Sequence, residues 1–250
     1  TMSGHSKWAT IKHKKGAADK ARAKVFNKIA RLLEVAAREG GADPSSNASL
    51  RSVIQKAKAA QMTNDAIDRA VKRGAGLGGD GATYEAITYE AYLPGGAALL
   101  IDVLTDNRNR SGADVRAVFS KQGGNMAEPG AVGWQFSRRG VVIVNGPDED
   151  TVMMAALDSG ADDVAADGAS WRVTCDPSKV YEVRDGIQAQ GLEVVSAEST
   201  MVSSMTVDVT NIDDARKILR IMDTLDDLDD VQDVYSNFDI SDELVEQLGE

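Results

Sequence analysis

The stretch VVIVNGPDEDTVMMAALDSGADDVAADGASWRVTCDPSKVYEVRDGIQAQGLEVVSAES, Val141 to Ser199, decides the fold class. VVIVN opens it as a short apolar run of strand length, and a short helix is expected around Val152–Leu157. DDVAAD and SWRVTCD read as two further strands. A helix from about Pro177 to Gln190 and the strand LEVVSAES complete the order β-α-β-β-α-β. That order is the ferredoxin-like unit.

Upstream, the periodicity switches to that of strands at Tyr84. TYEAYL and AALLIDVLT read as strands joined by the turn Pro94-Gly95-Gly96. SGADVRAVFSKQGG reads as a helix with Ser111 near its cap and Gly123 past its end, and AVGWQF as a strand. Downstream, MTVDVT, a helix over Ala215–Leu225, VQDVYS and a short acidic tail helix finish the chain. The strands at 206–210 and 231–235 have no sheet of their own. Rejoining the sheet of residues 84–136 would give them one, with 137–205 as an insertion.

The N-terminal part is helical. Between about residues 17 and 38, Val25, Ile29, Leu32, Leu33 and Ala36 form an apolar stripe, while Lys20, Lys24, Lys28, Arg31 and Arg38 form a second, cationic one. Gly40 and Gly41 stop this helix. A second runs from about Ala48 to Gln61; a third starts after Thr63, a good N-cap, and ends at Gly74. GAGLGGDG, Gly74 to Gly81, has the form G-x-G-x-x-G but follows a helix instead of a strand, so it reads as a linker. The expected partition is 1–76 (basic arm and helical domain), 77–83 (Gly-rich linker), 84–136 plus 206–240 (α+β domain), 137–205 (ferredoxin-like domain) and 241–250 (acidic tail).

Charge is distributed unevenly over these parts. The whole chain carries −11, but residues 1–76, 77–136 and 137–250 carry +10, −3 and −18. Ser3 to Ile29 alone holds Lys7, Lys12, Lys14, Lys15, Lys20, Arg22, Lys24 and Lys28 against the single acid Asp19. A basic end on an acidic body attracts a polyanion there and repels it elsewhere, so nucleic acid is the expected partner. The bland alternative is a solvated charged helix face. The candidate contacts are Lys7, Trp8, Lys12, His13, Lys14, Lys15, Lys20, Lys24 and Lys28, together with Arg108 and Arg110. The two arginines lie in TDNRNRS, Thr105 to Ser111, between a strand and a helix start, where free backbone N–H groups favour anions. Equally, the arginines can pair with neighbouring carboxylates while Asn and Asp shape the turn. Trp8 can stack on a base or anchor the arm to the helical domain.

Other chemistry finds little support. His5 and His13 lack the company a zinc site needs, so no metal and no cofactor are expected. The acidic string Asp226, Asp227, Asp229, Asp230, Asp233 fails the calcium-loop pattern and reads as a solvated helix end. No G-x-S-x-G, G-K-[ST] or H-E-x-x-H occurs, and nothing points to a nucleophile or base, so no enzyme is expected. Cys175, the one cysteine, excludes an internal disulfide and reads as a buried thiol. No apolar run reaches membrane-spanning length. The basic start has the composition of a mitochondrial presequence, but Trp8 and the cluster begin straight after Met2, so a cytoplasmic location is expected.

Several segments resemble the YebC family: SGHSKWA at Ser3–Ala9, IKHK at Ile11–Lys14, AVKRG at Ala70–Gly74, YEAYLPGG at Tyr89–Gly96, LTDNRNR at Leu104–Arg110 and FSKQGGN at Phe119–Asn125. They occur in family order over most of the chain. The resemblance implies an α+β fold of three domains: an N-terminal helical bundle and two α+β domains, the third ferredoxin-like and inserted in the second. It also implies a non-enzymatic, nucleic-acid-binding regulator of gene expression. Family members are generally described as probable DNA-binding transcriptional regulators. Related proteins act in translation, in mitochondria as activators of synthesis of a respiratory-chain subunit and in bacteria by relieving ribosomes stalled on proline runs. The alternative function is therefore a ribosome-associated factor binding ribosomal RNA or tRNA, and a remote one is a small-molecule-sensing ferredoxin-like protein. Expected partners are DNA and/or ribosomal RNA and tRNA, with the ribosome as a further candidate; no membrane partner and a monomer or weak dimer are expected.

Overall fold

The computed structural model describes residues 18–77 and 82–249. The Gly-rich segment 78–81, where the linker is expected, and the arm residues Lys7, Trp8, Lys12, His13, Lys14 and Lys15 lie outside the described residues. The fold mixes helices with antiparallel sheets.

Three helices come first: α1 (Ala18–Gly40), α2 (Ala48–Ala59) and α3 (Asn64–Gly74). Ile29, Leu33, Ala36 and Ala37 of α1 bury against Leu50, Ala57, Ile67 and Ala70. Val25, expected on the same stripe, is 44% exposed: the buried residues of α1 begin one turn later, at Ile29. Asn47 caps α2 by accepting from Leu50 N–H at 3.0 Å, and its amide donates to the carbonyls of Ala36 and Gly41. One buried side chain thus sets the angle between α1 and α2. Thr63 caps α3 as expected. At the far end of α3 the backbone of Gly74 approaches that of Glu34 so closely that a Cβ there would lie 2.2 Å from the Glu34 carbonyl oxygen.

β1 (Glu85–Tyr92) and β2 (Ala98–Thr105) form a hairpin around Pro94-Gly95-Gly96. α4 (Arg108–Gln122) follows and packs on one face. Its cap is Asn107, whose side chain accepts from Arg110 N–H, so the helix begins three residues before the Ser111 cap expected from sequence. β3 (Asn125–Ala127), which the sequence did not announce, pairs with β1. AVGWQF is not a strand throughout: Gly133–Gln135 form a single 3-10 turn, and β4 starts at Phe136. The turn is imposed by Glu90, a buried carboxylate that accepts from the backbone N–H groups of Gly130, Val132 (2.9 Å) and Gly133 (2.5 Å).

β4 (Phe136–Asn145), α5 (Glu149–Asp158), β5 (Asp163–Asp167), β6 (Ser170–Cys175), α6 (Val180–Ala189) and β7 (Glu193–Ser203) keep the β-α-β-β-α-β order. They form one antiparallel sheet, β5-β6-β4-β7, with its own core of Val142, Val144, Val152, Val173, Val183 and Ile187. Cys175 is buried there, and burial above all, with the nearby Asp162 and Asp176 charges, pushes its thiol up to about 11.

The chain then returns to the first sheet. β9 (Val231–Ser236) pairs antiparallel with β2, completing the order β3-β1-β2-β9. α7 (Ile212–Asp227), longer than the expected Ala215–Leu225, packs beside α4 with Ile218, Ile221, Met222 and Leu225 buried. β8 (Val207–Val209) does not rejoin that sheet. It pairs in parallel with β10 (Phe238–Ile240), a strand too short to show in the sequence pattern. The C-terminal residues are more than a tail: α8 (Asp242–Leu248) tucks Leu244 into the core of the first sheet. A small separate cluster, Ala98, Leu100, Val132, Phe136 and Tyr235, joins the two sheets.

Candidate nucleic-acid interface

The cationic stripe of α1 follows from its spacing: residues four and three apart share one helix face. The structure does not present all of that face to solvent. Lys24 Nζ donates to the Asp227 carboxylate at 2.6 Å and to its backbone carbonyl at 2.8 Å. Lys28 Nζ donates to the Asp226 carbonyl at 2.6 Å, with the Asp226 carboxylate 3.8 Å away. Arg31 donates to the Leu104 carbonyl at 3.0 Å and to Asp230 at 2.8 Å. Lys24 and Lys28 therefore cover the carboxyl end of α7, and Arg31 reaches Asp230 just beyond it. Lys20 remains exposed. The acidic string was expected to be a solvated helix end; Asp226, Asp227 and Asp230 instead form a docking surface.

The reason is electrostatic. Asp226 and Asp227 lie in the last turn of α7, at the negative end of the helix dipole, and that turn holds no basic residue. Acidic residues there are unfavourable, and the last carbonyls need donors. The lysines of α1 supply both charge and hydrogen bonds. Sequence signals for this contact are present in two places, a cation row along one helix and an acid string at the wrong end of another. Nothing in either segment named the other as its partner.

The segment Thr105–Ser111 meets the same acids. The Thr105 hydroxyl accepts from Asn107 N–H, and Ser111 Oγ lies 2.6 Å from both Thr105 Oγ1 and Asp230. Arg110 donates to Asp230 at 2.9 Å and to Asp106 at 2.6 Å; Arg108 pairs with Glu85 at 2.5 Å. An anion does sit at the first turn of α4, and it is the protein's own Asp230. Burial works to raise the pKa of this carboxyl, but hydrogen bonds from Arg31, Ser111 and Arg110 outweigh it and hold the group down to about 2. The same two aspartates hold the Arg110 guanidinium above its ordinary value. A cavity of about 460 Å³ opens beside this cluster, lined by Arg31 and Arg110 but also by Asp106, Asp114, Asp227 and Asp230. An acid-dominated lining does not suit a phosphate.

Of the residues singled out from sequence, Lys24, Lys28 and Arg110 are thus brought together around the acids at residues 226–230, while Arg108 lies apart on Glu85. Arg31, Asp226, Asp227 and Asp230 are structurally central and were not among the candidate contacts. Among the described residues, no group of three His, Cys, Asp or Glu side chains is placed to hold a metal ion, and no helix is long and apolar enough to cross a membrane.

Residues 6–77 match the family described as TACO1/YebC protein N-terminal domain, and residues 84–238 match that described as TACO1/YebC second and third domain. A relative from Beutenbergia cavernae named "Probable transcriptional regulatory protein" is 51% identical over 252 residues, covering 100% of both chains. One of the same name from Salinispora arenicola is 52% identical over 250 residues, covering 99% of this chain and 100% of its own. The crystal structure of a conserved hypothetical protein from Aquifex aeolicus superposes with a TM-score of 0.77 at 38% identity, covering 93% of this chain and 96% of that one. With both parts matched in order and full-length relatives at about half identity, the chain belongs to the TACO1/YebC family.

Proposed function

We propose that this protein is a non-enzymatic, cytoplasmic regulator of gene expression that binds nucleic acid through its basic N-terminal part. The observation that carries the reading is the segregation of charge: +10 on residues 1–76 against −18 on residues 137–250. Such a molecule approaches a phosphate backbone basic end first. The names of the full-length relatives favour transcription, and so DNA, as the setting. In this reading the three hydrophobic cores mark three domains: the helical domain, the α+β domain closed by β9, and a ferredoxin-like domain inserted in it. Lys7, Lys12, Lys14, Lys15 and Lys20 supply the first phosphate contacts, and Trp8 and His13 lie among them.

A second reading, a ribosome-associated translation factor, is favoured by the same arm on an acidic body, which suits the backbone and shape recognition of structured RNA. The experiment is sedimentation of lysate through sucrose with and without nuclease, paired with mobility shifts on duplex DNA across a salt series. Nuclease-sensitive, salt-released co-migration with ribosomal particles favours translation. Light fractions together with a DNA shift at physiological salt favour transcription. Binding to neither nucleic acid removes the proposal.

A further inference from the structure

The carboxyl end of α7 and a phosphate backbone offer related chemistry to α1: a negatively charged row of acceptor oxygens, here carboxylates and helix-end carbonyls. We propose that Asp226 and Asp227 are a built-in competitor, occupying Lys24 and Lys28 until a nucleic-acid backbone displaces them, and that Lys24 and Lys28 then bind phosphate. This rests on the nucleic-acid reading above and extends it to a covered part of the binding surface.

Three observations carry it. Among the described residues, the contact between α1 and residues 226–230 is made by hydrogen bonds and ion pairs, and the core of the three helices and that of the first sheet share no residue. A seam of charges without an apolar core is weak and exchangeable. Second, the seam is open at one end. Lys24 and Asp227 side chains are 40% and 76% exposed; Lys28 and Asp226 are 12% and 23% exposed, and Arg31 and Asp230 are 21% and 10% exposed, with Asp230 further held by Arg110 and Ser111. Exchange starts at Lys24–Asp227 and passes to Lys28, while Arg31–Asp230 stays as the pivot. Third, Lys24 and Lys28 continue in sequence the basic run that begins at Lys7, so they belong to the same concentration of positive charge. Lys24 and Lys28 are about 6 Å apart along the helix axis.

The test measures affinity of the full chain for a labelled 30-base-pair duplex from about 50 to 200 mM salt. Asp226→Asn with Asp227→Asn should tighten binding roughly tenfold at the low-salt end, because the competitor is weakened while the phosphates contacted in the bound state stay the same. Adding Lys24→Ala and Lys28→Ala to that variant should abolish the gain and flatten the log–log salt slope by about 1.8, as two phosphates are no longer contacted. The same charge change placed elsewhere, Glu243→Gln with Glu246→Gln, should give a much smaller gain. Hydrogen exchange of the last turn of α7 in the unmodified protein should speed up when duplex is added, because its carbonyls lose their caps. A gain no larger than that of the control variant, a gain that survives loss of both lysines, or an α7 end more protected with duplex bound would each overturn the proposal. If the protein binds no nucleic acid, the function above fails by itself, and inorganic polyphosphate becomes the probe. Faster exchange at the end of α7 with polyphosphate supports the competitor, and unchanged exchange overturns it.

Discussion

Asp102 on β2 and Asp233 on β9 stand directly opposite each other across an antiparallel pair. Like charges in register are unfavourable. Burial first, then the nearby Asp233, raise the Asp102 carboxyl above its ordinary value, against a hydrogen bond from Thr88 and the cations Arg138 and Lys56. A carboxyl raised in the folded state costs stability once ionised, so the fold gains stability as pH falls through its folded value. Asp102→Asn should therefore stabilise the protein at pH 7 by about 0.5 kcal/mol. Urea denaturation of the two proteins at pH 7 and pH 4 checks this, with the difference shrinking at the lower pH.

Asp230 behaves in the opposite way. Its carboxyl is depressed from 3.8 to about 2 by Arg31, Ser111 and Arg110 despite burial. The stabilisation, about 2 kcal/mol, is complete above the ordinary carboxylate range and is lost as pH falls through about 2. Asp230→Asn should lower stability at pH 7 by about that amount and flatten the acid limb of the stability–pH curve. Denaturant midpoints measured between pH 7 and pH 2 decide it.

Glu90 holds the Trp134 turn. Burial works to raise its carboxyl, and the N–H groups of Gly130, Val132 and Gly133 together lower it. Glu90→Gln leaves one of these donors without its acceptor, costing about 1–3 kcal/mol. Hydrogen exchange should accelerate at residues 130–133, and the emission of the 67%-exposed Trp134 should change as its turn loosens.

Gly74 admits no side chain, since a Cβ would overlap the Glu34 backbone. Gly74→Ala should force α1 and α3 apart and destabilise the helical part by about 2 kcal/mol or more. Thermal unfolding followed by circular dichroism reads this directly.

The arm should act on binding and leave the fold untouched. Replacing Lys12, Lys14 and Lys15 by Ala should weaken duplex binding and leave the melting temperature unchanged, as expected of residues that serve binding alone. If the unmodified protein makes about five phosphate contacts, its affinity should fall roughly 500-fold between 50 and 200 mM salt. Fluorescence anisotropy over that range measures both effects.

What was legible in the sequence was what local pattern encodes. Thr63 and Gly74 bounded α3, and the strand–helix order of residues 141–199 announced its antiparallel sheet. What was hidden depended on distant partners. β10 is three residues long and is a strand only because β8 lies beside it. Gly133–Gln135 turn because Glu90, far back in sequence, collects their amides. The start of α4 was misplaced because Ser111 looks like a cap, whereas its hydroxyl is engaged with Thr105 and Asp230 and Asn107 does the capping. The cations of α1 were legible as a row, but their occupation by residues 226–230 was not, since charge complementarity carries no register.

The return of β9 to β2 has a consequence for how the protein is made. Val103 pairs with Val231, so β2 leaves the ribosome with one edge uncovered and stays so while about 128 residues are translated. At ~5–20 residues per second that interval is about 6–25 s. The β4–β7 sheet, whose strands all lie within that window, can form while β2 waits. Nascent chains arrested before residue 231 should therefore carry a folded insert on an open, aggregation-prone hairpin, the state a cotranslational chaperone would engage.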